Sequence, residues 1–151
     1  MSDQHPTVED PALGTLTRAV SELTDGTVLT HGWYAGTLTT AEGDVELMAE
    51  GTSPAEVEPL LPRLREVASR LSTLRRPATD AVVTAFSTGE PEQHELDDAA
   101  SDLVLEALEA TADGDVVLHF TDQCGEHFPE GYWPAVHLDS GDRVTQVTVE
   151  S

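Results

Sequence analysis

The chain contains no lysine. Its basic residues are seven arginines, set against 29 acidic residues for a formal net charge of −22. Phosphate-backbone binding relies on arrays of Lys and Arg, and adhesion to anionic lipid relies on polybasic segments. Neither nucleic acid nor a membrane surface is therefore an expected partner. The single cysteine, Cys124, cannot close an internal disulfide, which fits a reducing, cytoplasmic compartment. No apolar run approaches the roughly 18 residues that a bilayer span needs. The segment Met1 to Pro6 has neither a basic nor an apolar targeting region, so no signal peptide is expected.

What is present fits one domain: 151 residues bury an ordinary core without staples. Self-repulsion at this charge opposes compaction and favours solubility. A GC-rich or salt-adapted genome, with arginine in place of lysine, accounts for the composition without any partner. The functional reading is an acidic surface for a basic protein partner or a cationic ligand.

Residues 1–11 are polar, hold two prolines and read as a flexible lead-in to a domain over 12–151. Leu13 to Leu23 fits either a helical face (Leu13, Leu16, Val20, Leu23) or a short strand, and periodicity does not decide between them. Thr27 to Thr40 is uncharged and rich in Thr, Val, Trp and Tyr, which favours a strand. Val45, Leu47 and Ala49 alternate with Asp44, Glu46, Met48 and Glu50, the period of a half-buried strand. Ser53-Pro54-Ala55-Glu56 has capping-box spacing. From Pro59, a stripe of Leu60, Leu61, Leu64, Val67, Ala68, Leu71 and Leu74 predicts a helix that Arg76-Pro77 ends, with a shorter helical piece from Asp80 to Phe86. A second long helix is expected from Glu95 to Ala112, with Leu96, Ala100, Leu103, Ala107 and Leu108 inward. Strands then follow over Asp115 to Thr121, Tyr132 to Leu138 and Arg143 to Glu150. This order predicts an α+β fold: an antiparallel sheet built from the N- and C-terminal strands, with two main helices packed on one face.

The only cysteine and three of the six histidines fall between His119 and His137. Cys124, His127, His119 and His137 are candidate zinc ligands, since zinc takes Cys and His and a catalytic site needs only three protein ligands plus water. The stretch lacks CxxC and HExxH, so its spacing is weakly specific, and the plainer reading is a loop Cys and His beside strand histidines. A Cys124–His127 nucleophile pair is disfavoured because Asp122 and Glu126 flank the cysteine and raise its pKa. Five of the seven arginines lie between Arg63 and Arg76, and pairing of this helix with the acidic one is expected. Trp33-Tyr34 and Tyr132-Trp133 should each send one ring inward and one outward. Tyr132, Trp133, His137 and Glu126 form the candidate partner-contact surface, because an outward aromatic anchors a protein partner well.

Leu13-Gly14-Thr15-Leu16, Trp33-Tyr34-Ala35-Gly36 and Leu118-His119-Phe120-Thr121-Asp122 resemble stretches of small uncharacterised bacterial proteins in domain-of-unknown-function families. Some relatives of that type occur as immunity proteins beside toxins. The resemblance implies an α+β fold and a strand over Leu13 to Arg18, and it brings no catalytic residues. The expectation is thus a non-enzymatic binding or immunity-type module with no cofactor. The alternative is a metal-dependent enzyme using zinc on the Cys/His cluster. Nothing in the sequence signals an oligomeric state.

Overall fold

Strand-forming runs at both ends of the chain meet in a single sheet in the computed structural model, which describes residues 6–41, 43–123 and 127–151. The strands are β1 (Val8–Asp10), β2 (Gly14–Glu22), β3 (Val28–Thr40), β4 (Gly43–Glu50), β5 (Leu103–Ala110), β6 (Val116–Asp122), β7 (Trp133–Leu138) and β8 (Val144–Glu150), paired in sequence order. All neighbours are antiparallel except β4 and β5, which are parallel. A parallel pair cannot be joined by a tight turn and needs a crossover. That connection holds α1 (Pro54–Val57), a 3-10 turn (Glu58–Leu60), α2 (Leu61–Ser69), α3 (Leu71–Phe86) and α4 (Gln93–Asp102). The expected antiparallel sheet under two main helices is therefore corrected. The fold is mostly sheet, eight-stranded and mixed, and its halves are two antiparallel meanders joined side by side. No helix among the described residues is long and apolar enough to cross a membrane.

Period-two alternation gives the sheet two different faces. One row of paired residues runs Gly36, Leu47, Leu108, Leu118, Val136, Val147. It belongs to the main core, with Leu61, Leu64 and Val67 of α2 and Leu71, Leu74 and Val82 of α3. The adjacent row points the other way: Thr17, Ala35, Met48, Glu109, Val117, His137, Gln146. Tyr34 is fully buried and Trp33 is 36% exposed, as their adjacency requires.

Three local readings change. Leu103 to Ala110, expected as helix, is β5, and a bulge between Leu105 and Ala107 shifts the phase of the strand. Leu103, Leu105, Leu108 and Ala110 all reach the core, and that uneven spacing in a run of good helix formers imitates a helical stripe. Second, the helix break is at Arg70 (φ −120°), not at Arg76-Pro77; Pro77 lies inside α3. An internal proline costs about 3 kcal/mol or more. Here Leu74, Ala78 and Val82 are buried on either side of it. Third, Val8–Asp10, read as part of the lead-in, is a strand with Val8 and Asp10 buried. The 13–23 ambiguity resolves as strand.

Arginines tie the helical layer to both margins of the sheet. Arg65 of α2 donates to the Asp10 carboxylate, with Nη2 at 2.7 Å from Oδ2. The Asp10 Oδ1 also accepts the amides of Ala12 and Leu13 and so closes the β1–β2 turn. Arg63 donates to the Asp139 carbonyl and, with Arg70, to the Asp142 carboxylate in the β7–β8 turn. Asp142 sits at φ +63°, a left-handed conformation that Asp tolerates better than most residues. Among the described residues, the expected pairing of the arginine helix with the acidic helix reduces to Arg76–Asp97; Arg63, Arg65 and Arg70 instead bind Glu66 on α2 itself, Asp10 at the end of β1 and Asp142 in the β7–β8 turn.

Hydrogen bonds from Arg65, with lesser help from the two amides, hold the Asp10 carboxyl below the usual carboxylate range despite its burial. A depressed carboxylate stabilises the fold above its unfolded-state pKa, and that contribution is lost as pH falls through the folded value. Asp10→Ala is expected to cost about 1–3 kcal/mol at neutral pH and to flatten the acid limb of stability against pH, measured by urea unfolding. A second substitution tests the β2–β3 contact. A Cβ on Gly36 would stand 2.8 Å from the Thr15 carbonyl oxygen, so Gly36→Ala is expected to destabilise by about 1–3 kcal/mol in the same assay.

Candidate functional site

The face turned away from the helices concentrates the charge. Glu9 projects from it on β1, Asp44, Glu46 and Glu50 on β4, Glu106 and Glu109 on β5, and Glu150 at the end of β8. None of the seven arginines is there. Five lie on or between α2 and α3, Arg143 is in the β7–β8 turn, and Arg18 is paired with Tyr34 on the helix side. A shallow groove of about 680 Å³ crosses this open face, lined by Thr17, Ala35, Thr37, Asp44, Glu46 and Glu106. Beside it Ala107, Val117 and Ala135 are buried yet stand outside the main core, a small apolar floor among larger neighbours.

The centre of the face is a Glu109–His119–Trp133 chain. His119 Nε2 lies 2.9 Å from Glu109 Oε1. Trp133 Nε1 donates to His119 Nδ1 at 3.0 Å. An indole N–H only donates, so Nδ1 must be the unprotonated nitrogen and Nε2 carries the hydrogen given to Glu109. This bond is the main cause holding the Glu109 carboxyl below its ordinary range, against partial burial, which pushes it up. A second chain runs through His137, whose Nε2 is 3.0 Å from Thr148 Oγ1. The Thr148 hydroxyl donates to Glu150 at 2.7 Å, so His137 must be the donor to it. No group among the described residues hydrogen-bonds the Nδ1 of His137. Thr121 donates to Glu106.

The candidate residues separate. His119, His137 and Trp133 share the open face, and Tyr132, half exposed, precedes it in the turn. His127 lies elsewhere, with Nε2 2.9 Å from Asp102 Oδ2 at the end of α4. Its backbone amide is held by Asp122, at the last residue of β6, while His137 pairs with Val117 five residues back along that strand. Five residues of strand span about 16 Å, too far for both to bind one ion. His119 has both nitrogens engaged. Cys124 and Glu126 lie outside the described residues. A zinc site on the three described histidines would therefore require rearrangement. The same occupied nitrogens deny the Glu109–His119 pair a free base. Among the described residues, the only group of three or more donors within reach of one another is Glu92, His94 and Glu95, all exposed at the start of α4.

Glu109, central to this site, was hidden from sequence reasoning by the helix assigned to its segment. Glu46 was visible as a solvent-side residue of an alternating strand, but nothing in the sequence placed β5 beside it. Comparison of the chain with family models, curated proteins and solved structures gave no match. The site is therefore read from its own geometry.

Trp133→Phe removes the donor to Nδ1 and is expected to cost about 1 kcal/mol. Nitrogen-15 NMR should find His119 in the Nε2–H tautomer in the wild type. An Nδ1–H tautomer there would sink this assignment.

Proposed function

We propose that the protein is a non-enzymatic binding module whose open sheet face takes a basic segment of a protein partner. The observation that carries this reading is the separation of charge: among the described residues, seven carboxylates on one face and no arginine among them. The carboxylates near the sheet margins that arginines approach, Asp10 and Asp142, are consumed in holding the fold. Those on the open face have only histidine, hydroxyl and backbone partners among the described residues. A partner's guanidinium or ammonium groups would relieve their mutual repulsion, so binding gains from the state of the free protein. Trp133 would add an amphipathic anchor at the edge of the acidic zone. Blocking a basic surface on a toxin, the immunity-type role that the resemblance implies, is one form of this reading. A cytoplasmic setting fits the lone cysteine.

The test is titration of the full chain with an arginine-rich peptide, followed by calorimetry at low and physiological salt. Affinity should fall with salt. Glu46→Gln combined with Glu106→Gln should weaken binding by about tenfold. Glu90→Gln combined with Glu92→Gln, the same change in net charge on the α3–α4 loop, should have little effect. Equal losses from both pairs would mean diffuse attraction to an acidic body and would overturn the open-face site.

A further inference from the structure

The β2–β3 hairpin reaches beyond the sheet. β1 covers only Gly14–Leu16 of β2, and β4 covers only Trp33–Thr40 of β3. What remains, from Ala19 to Gly32, is a two-stranded arm with Thr17 and Arg18 at its base. It exposes Val20 (54%), Leu23 (44%), Val28 (58%) and Leu29 (46%), four of the nine exposed large hydrophobics among the described residues. An isolated two-stranded hairpin is marginal in water, and the outer side of β2 from Thr17 to Glu22 has no strand partner among the described residues, an open edge of the kind that templates pairing. The arm, taken with its base, is also only weakly charged. Its charges are Arg18, Glu22 and Asp25, a net of −1 in a chain of −22.

We propose that the occupant of this edge is a second copy of the chain, paired antiparallel along β2 about Val20. That register is self-complementary. With Val20 against Val20 of the second copy, Arg18 of each chain stands opposite Glu22 of the other, and Ala19 opposite Ser21. Arg18 is suited to this position. Its guanidinium is held by the carbonyls of His31 and Thr52, at 2.5 and 2.7 Å, with no carboxylate among its partners. The cation is thus fixed at the base of the arm, near the Glu56 carboxylate but without a hydrogen-bonded carboxylate of its own chain. The opposite edge of the sheet offers no such match: symmetric pairing of β8 about Val147 sets Glu150 against Val144. The near-neutral arm also lets two strongly acidic bodies meet at a weakly charged point, in a closed two-fold contact. This pairing is independent of the open face.

Sedimentation equilibrium of the full chain tests it. The wild type should form a reversible dimer that tightens as salt is added, because screening weakens repulsion between the acidic bodies. Val20→Glu and Glu22→Arg should each weaken association by about tenfold or more. Val149→Glu on β8, and Glu46→Gln with Glu106→Gln on the open face, should leave it in place. Circular dichroism confirms that each variant is folded. A monomer at every concentration and salt overturns the proposal, as does a dimer that survives Val20→Glu. A dimer lost in Val149→Glu instead assigns the contact to the β8 edge and also overturns it. A dimer indifferent to Glu22→Arg overturns the register.

Discussion

Two arginines two residues apart on α2 reach opposite margins of the sheet. Arg65 binds the turn between β1 and β2, and Arg63 binds the turn between β7 and β8. Laid flat, eight strands would separate β1 from β8 by about 34 Å at the usual spacing. The two arginines differ by about 3 Å along the helix axis. Both contacts can be made only if the sheet curls toward α2, with its apolar face wrapped around the helices and its acidic face on the outside. Curling also lets Leu47, Leu108 and Leu118 meet Leu61, Leu64 and Val67 in one core. Arginine suits the clamp because it stays charged and its planar fork engages a carboxylate and a carbonyl together.

The clamp decides the electrostatics of the rest. A chain with seven arginines and 29 acids can compensate few of its carboxylates. Three of the seven arginines are spent where helix meets turn and none reaches the open face, so the uncompensated charge collects where no helix packs. Strand geometry then spreads it: carboxylates on adjacent strands or alternate positions stand several ångströms apart and exposed, where water weakens their repulsion. Glu109 is the exception, half-buried at the centre, and it has the strongest local support, a hydrogen bond from a histidine whose other nitrogen is held by Trp133. That histidine is better described as a brace for a carboxylate than as a base.

Much of the strand content could be read directly. Uncharged, β-branched composition marked β3, strict alternation marked β4, and the leucine stripe marked the α2 and α3 surfaces. The site was legible in part: the concentration of histidine and tryptophan between His119 and His137 fell on two neighbouring strands of the open face. The rest was hidden by one bulge. Because β5 changes phase at Glu106, its apolar residues lose strict alternation, and the local preference of Ala, Leu and Glu for helix was the only signal left. Reading that segment as helix removed the strand that makes the sheet mixed and moved Glu109 off the site. Pro77 misled for a similar reason: local preference says that a helix stops, while buried neighbours on both sides carry it through.

The acidic face also has a part in specifying the fold. In β4, shifting the register by one residue would exchange Val45, Leu47 and Ala49 for Asp44, Glu46, Met48 and Glu50 at core positions. Burying even one unpaired carboxylate costs far more than a leucine gains, so the outward acids exclude slipped pairings more strongly than the inward leucines favour the correct one. The same holds at β5, where Glu106 sits in the bulge and Glu109 lies beyond it, and both must reach solvent or a partner; that requirement fixes where the phase changes. The residues offered to a basic partner are thus the ones that forbid misregister. A surface with this double role can lose charge at single positions without losing contacts in the core, but broad neutralisation would leave the central strands with a weaker choice of face.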